Sequence, residues 1–220
     1  MENQDQNQEE KTTFNKDEVK GFLKNNLPQI VKTYFKEPIT GTQNLFLEAN
    51  NKAYFNAVVL IVATGVLYII IPYLLLGDMR EYVGFGQMIK VGLSVATFLV
   101  IISLVSFGVK SIAGKPDFKK ELLTGGLCGI ATSIFLVIMI IAKLFFENTD
   151  ITNIMRPFSL LEDLKLLIVL VVYAFLLLIN TLLQSFRASN VNETLAWYVS
   201  PIGIGVAIYI TTEVVKIFFS

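Results

Sequence analysis

Polar and apolar positions split the chain into a mixed N-terminal part and a predominantly apolar remainder. Residues 1–13 (MENQDQNQEEKTT) offer no side chain able to anchor a core, and they predict a disordered polar tail. They are also too acidic to be a secretory leader, so the first membrane helix is expected to target the chain. From 14 to 52 the pattern becomes that of a cytoplasmic amphipathic helical segment. Val19, Phe22 and Leu23 stand at i, i+3, i+4 spacing and predict one short helix. In a second, Leu27, Ile30, Val31, Tyr34 and Phe35 share a face opposite Gln29, Lys32 and Lys36. A break is expected at Asn25 to Pro28, with Asn26 as cap and Pro28 in the first turn. Glu37-Pro38 ends the second helix, and Gly41 is expected in a polar connection. Those five apolar side chains are candidate membrane-surface residues, with docking onto the ends of the membrane helices as the alternative.

Five apolar segments follow, at about 53–76, 91–110, 122–145, 164–185 and 194–218. Each is long enough for a hydrocarbon core of about 30 Å at about 1.5 Å per residue. The fold class is therefore all-α: a polytopic integral membrane protein, a bundle of five transmembrane helices preceded by short amphipathic ones. Lys90 and Lys110 bracket the second segment, and both are expected to snorkel to the two interfaces without a buried partner. Pro72 and Pro201 lie inside the first and fifth segments, where a bend is expected. Placing the N-terminus in the cytoplasm puts twelve of the 18 Lys and Arg on that side, with Lys110, Lys115, Lys119 and Lys120 carrying most of the weight. The C-terminus then lies on the opposite side of the cell membrane.

Composition narrows the function. With 54% apolar and 16% charged residues, a mean hydropathy of +0.61 and zero formal charge, the chain is a lipid-bilayer protein with no basic excess for nucleic acid. It has no histidine, and its one cysteine, Cys128, lies in an apolar run, so imidazole chemistry, Cys-based zinc sites and internal disulfides are excluded. No cofactor, metal or catalytic residue is expected.

The polar groups within the apolar segments read as structural. Asn180 and Gln184 share a face of segment four beside Thr181, and an amide in lipid must find a hydrogen-bond partner. A permeation path would draw on Ser94, Ser103, Thr132 and Ser133 as well. Gly125 and Gly129 form a GxxxG, and Gly203, Gly205 and Ala207 thin one side of segment five. All are candidate helix-packing residues within the bundle, with a homo-oligomer through segment three, or contact with other membrane proteins, as the sharper alternative. Glu213 and Lys216 can pair at i, i+3.

The order of parts resembles the Yip family, the Ypt/Rab-interacting membrane proteins, and among them a bacterial relative. The resemblance rests on the cytoplasmic N-terminal region, on Lys32-Thr33-Tyr34-Phe35-Lys36-Glu37-Pro38 shortly before the membrane, and on five closely spaced helices, and it spans about residues 20–220. The Asp-Leu-Tyr-Gly-Pro string of eukaryotic members is not present, so Rab binding is not carried over. What the resemblance implies is a non-enzymatic protein that organises membrane or membrane partners through helix packing and its amphipathic segment. A small-solute transporter or channel is the alternative. A membrane enzyme would need converging acids, a Ser/Lys pair or a metal site.

Overall fold

The computed structural model describes residues 16–49, 52–114, 116–147 and 157–219; the tail expected at 1–13 lies outside them. All regular elements among the described residues are helical: α1 (Lys16–Gly21), a π-helical turn (Phe22–Asn26), α2 (Leu27–Lys36), α3 (Thr40–Leu47), α4 (Lys52–Leu75), a 3-10 turn (Gly77–Glu81), α5 (Phe85–Ala113), α6 (Phe118–Glu147), α7 (Pro157–Ala188) and α8 (Glu193–Phe219). Stretches within α4 to α8 are long and apolar enough to cross a membrane, and the protein is an all-α, multi-pass membrane protein. Helices α5 to α8 exceed the segments read from hydropathy, most at α5 and α7, because their end turns continue the backbone hydrogen bonding past the apolar stretch, whereas α4 equals its segment in length.

Helix α6 is the hub of the bundle, packing on α4, α5 and α7, whereas α8 lies outside against α5 and α7. Every residue from Glu121 to Thr132 is buried, so three turns of α6 are surrounded on all sides. Small residues make this geometry accessible. A side chain at Gly125 would strike the Leu99 carbonyl of α5, one at Gly126 would stand 3.1 Å from the Ala57 Cα of α4, and one at Gly129 would stand 2.6 Å from Thr64 Oγ1. Lipid gives helices no hydrophobic reason to associate, so close backbone packing of this kind supplies much of the attraction. Because α4 and α5 of the same chain already cover Gly125 and Gly129, that face is closed to the homo-oligomer contact considered for segment three.

Both prolines are absorbed inside helices, Pro72 within α4 and Pro201 within α8. Arg80 closes the far end of α4: its guanidinium donates to the carbonyls of Tyr73 and Leu74, each at 2.9 Å, and stacks over the Tyr73 ring.

The N-terminal part departs from expectation. Instead of a break at Asn25 to Pro28, α1 and α2 join through the π turn, where the Leu27 N–H reaches the Phe22 carbonyl, and Asn26 makes no side-chain cap. A π turn adds about one residue to the helical repeat, and here it corrects the phase. Phe22 then faces the same way as Leu27, Ile30 and Tyr34, toward the bundle core. Gly41 also differs: it is a buried residue of α3, and a side chain there would stand 2.7 Å from Thr33 Cγ2, so the sharp α2–α3 corner needs glycine.

Candidate functional site

At the bundle end that carries α1 to α3, three helices bring polar side chains together beneath the N-terminal segment. Ser106 and Lys110 stand one turn apart near the end of α5, Glu121 and Thr124 one turn apart near the start of α6, and Thr181 and Ser185 one turn apart near the end of α7. The short link from Gly114 to Asp117 makes α5 and α6 an antiparallel hairpin, which sets Lys110 against Glu121. The Lys110 ammonium lies 2.7 Å from Glu121 Oε2, 2.9 Å from Oε1 and 2.7 Å from Ser185 Oγ. Three partners match its three N–H donors. Ser106 Oγ donates to Glu121 Oε2 at 3.0 Å, and Ser185 Oγ, accepting from the lysine, shares a hydrogen bond with Thr124 Oγ1 at 2.8 Å. Side-chain exposure is only 5% for Lys110 and 7% for Glu121, and the Phe46 ring of α3 covers the ammonium at 5.8 Å.

Lys110 is therefore not the snorkelling interfacial lysine that its position at a segment end suggested. The paired acid eleven residues away changes the balance: a buried ammonium is tolerated when a carboxylate and a hydroxyl complete its coordination. Lys90 is half-buried, its ammonium 5.6 Å from the Phe219 ring.

Beside this cluster the N-terminal segment is inserted into the bundle. Tyr34 is wholly buried. Its hydroxyl lies 2.7 Å from Thr181 Oγ1 and 3.4 Å from the Leu177 carbonyl. Thr181 spends its own proton on that carbonyl at 2.8 Å, so Tyr34 is the donor to Thr181. Burial raises the Tyr34 phenol above its ordinary pKa, so it stays a neutral donor. One turn away, Asn180 Nδ2 donates to the Pro38 carbonyl, and Gln184 Nε2 donates to Asn180 Oδ1 at 2.9 Å. Gln184 Oε1 and Thr42 Oγ1 are buried without a hydrogen-bond partner among the described residues.

The candidate membrane-surface residues thus fall on protein. Leu27, Ile30 and Val31 pack half-buried against the core, Tyr34 is enclosed, and Phe35 stays 40% exposed. Docking has a physical reason: the Tyr34 hydroxyl and the Pro38 carbonyl find directional partners on α7, in Thr181 and Asn180. Of the candidate packing residues, Gly125 and Gly129 lie at close contacts, a side chain at Gly203 would stand 3.3 Å from Val105 Cγ1, and Gly205 has open space around it. Asn180 bridges to the N-terminal segment instead of to another membrane helix. Ser94, Ser103, Thr132 and Ser133 each donate to a carbonyl of their own helix. Glu213 and Lys216 pair at 2.8 Å on an exposed face.

Several residues here escaped the sequence pattern. Glu121 was invisible because it sits just outside an apolar segment, and its signal is the hairpin itself: the last turn of one helix meets the first turn of the next. Gly92, where a side chain would strike Ile69 and the Gly65 carbonyl, carries no GxxxG. The Ser185–Lys110 contact places a hydroxyl beside an amine, the pairing a Ser/Lys nucleophile requires. A lysine base must be neutral to take that proton; here the Lys110 nitrogen also lies 2.7 Å from a Glu121 carboxylate oxygen. No group of metal-ligating side chains occurs among the described residues. An open hollow lined by Glu193, Thr194, Trp197 and Tyr198 lies apart from the cluster, at the start of α8. No family model, curated protein or solved structure matches the chain.

Proposed function

We propose that this multi-pass membrane protein is a non-enzymatic, Yip-like organiser of membrane or membrane partners, probed from the cytoplasm through its N-terminal segment, in the cell membrane of a bacterium. The observation that carries the reading is how the polar side chains near the docked end are used. Lys110, Glu121, Ser106, Ser185 and Thr124 satisfy one another, and Tyr34 and Asn180 hold the N-terminal segment in place. Such groups serve cohesion; a transport path would leave them facing an aqueous cavity. The orientation proposed is N-terminus cytoplasmic, which five spans pair with a C-terminus across the membrane.

The test is reconstitution at rising protein-to-lipid ratio, with vesicle size and shape followed by electron cryomicroscopy and release of trapped ions, amino acids and sugars followed in parallel. The reading expects protein-dependent changes in vesicle shape or clustering with no solute flux. Saturable flux that disappears on substituting Lys110 or Asn180 would establish the transporter reading in its place.

A further inference from the structure

The helix running from Lys16 to Lys36 has a second face, opposite the one that docks. Between residues 19 and 36 the sequence holds Lys20, Lys24, Lys32 and Lys36 and no acid. On an uninterrupted α-helix these would stand at about 0°, 40°, 120° and 160° around the axis, spread over nearly half the circumference. The π turn contains the second lysine and precedes the third. One residue absorbed there sets back Lys32 and Lys36 by about 100° and Lys24 by part of that, which gathers the four within roughly 70° of one another. All four are exposed, while Phe22 and Tyr34, on the far side of the same helix, are buried. Asp17, which makes an interaction of its own, stands at the N-terminal end of the row. Glu18 falls on the opposite side, and Glu37 lies past the helix end.

The row is also at the right depth. Tyr34 bonds Thr181, which precedes Arg187 by six residues, or about 9 Å of helix. Arg187 is the cation in the last turn of α7, so α2 lies alongside the end of that membrane helix, at headgroup level. Leu23 and Phe35, 43% and 40% exposed, flank the lysine row on one edge. Cations above an apolar edge are what an interfacial helix presents to an anionic leaflet.

We propose that Lys20, Lys24, Lys32 and Lys36, aligned by the π turn, form a binding surface for anionic phospholipid headgroups of the leaflet surrounding this end of the bundle. The apolar face holds the protein and the basic face holds the lipid, so one helix couples the bundle to its local lipid composition.

The test uses the full-length protein in phosphatidylcholine nanodiscs carrying trace spin-labelled phosphatidylglycerol or spin-labelled phosphatidylcholine, with electron paramagnetic resonance reporting the fraction of each label immobilised by protein. The expected result is a preference for phosphatidylglycerol that falls at least about fivefold when the lysines become K20Q, K24Q, K32Q and K36Q together, and that weakens with salt. The four-arginine variant retains it. If the fourfold variant does not fold, Lys32→Glu alone, with unchanged thermal unfolding, serves the same comparison. An unchanged lipid preference in the glutamine variant, or saturable binding of polyglutamate by the nanodisc protein with no phosphatidylglycerol preference, would overturn the proposal; the second outcome would make the occupant an acidic protein.

Discussion

Replacing Lys110 by methionine removes the ammonium and leaves Glu121 as a buried carboxylate with one remaining side-chain donor, Ser106. Both partners of the pair are nearly inaccessible, so solvent cannot replace the lost charge. Breaking one side of such a pair costs about 3–5 kcal/mol. Glu121→Leu should cost less, because the freed ammonium sits three residues before the end of α5 and its stem can extend toward water. The double variant, Lys110→Met with Glu121→Leu, should lie within about 1–2 kcal/mol of wild type, since the desolvation of both charges disappears with them. The cycle therefore closes with a coupling energy of at least about 1–2 kcal/mol, rising by whatever Glu121→Leu itself costs. Reversible unfolding in detergent micelles or bicelles measures all four corners, and Glu213→Gln supplies the control. That exposed pair, at 2.8 Å with 63% and 47% side-chain exposure, should contribute no more than about 0.5 kcal/mol. A Lys110→Met cost below about 1 kcal/mol, or a double variant as unstable as the sum of the singles, would refute the account of Lys110 and Glu121 as a closed, mutually dependent pair.

Tyr34→Phe should lose about 0.5–1.5 kcal/mol from its hydrogen bond to Thr181, and Tyr34→Ala about 3–5 kcal/mol, accompanied by faster tryptic cleavage at Lys32 and Lys36 as the segment undocks. Asn180→Leu, which frees the Pro38 carbonyl, should cost about 1 kcal/mol in the same unfolding assay, and cleavage at Lys36 should rise with it. Gly125→Val should abolish folding, because its side chain would meet the Leu99 backbone, whereas Gly205→Ala should leave the melting temperature unchanged. In a Cys128→Ser background, a cysteine at Ser189 should be shielded from an impermeant thiol reagent in intact cells and one at Gly84 should react; the reverse labelling would invert the orientation.

The membrane helices were legible because hydrocarbon imposes a length and a composition that no other solvent imposes. Their packing was legible only where small residues happened to fall in register. Gly125 and Gly129 announced themselves by spacing, but Gly126 and Gly92 make contacts of the same kind with α4 and signalled nothing. The amphipathic face of α2 was readable, and its partner was not: periodicity reports that Leu27, Ile30 and Tyr34 avoid water, and it is silent on whether lipid or protein replaces it. The polar cluster stayed hidden for a related reason. Hydropathy assigns a lysine at a segment end to the interface, and only the hairpin that opposes it with Glu121 turns it inward.

The contact between Tyr34 and α7 spans 143 to 147 positions of sequence, which orders events during synthesis. A ribosome adding about 5–20 residues per second completes the receptor for Tyr34 roughly 7–30 s after making the tyrosine. Through that interval Leu27, Ile30 and Tyr34 have no bundle to cover them, and the nascent membrane surface is the apolar medium at hand. The docked helix describes the finished protein, and its apolar face lacks its bundle partner until α7 is made. Nascent chains arrested before residue 177 should therefore leave Lys32 and Lys36 open to protease, and chains extended past α7 should close them.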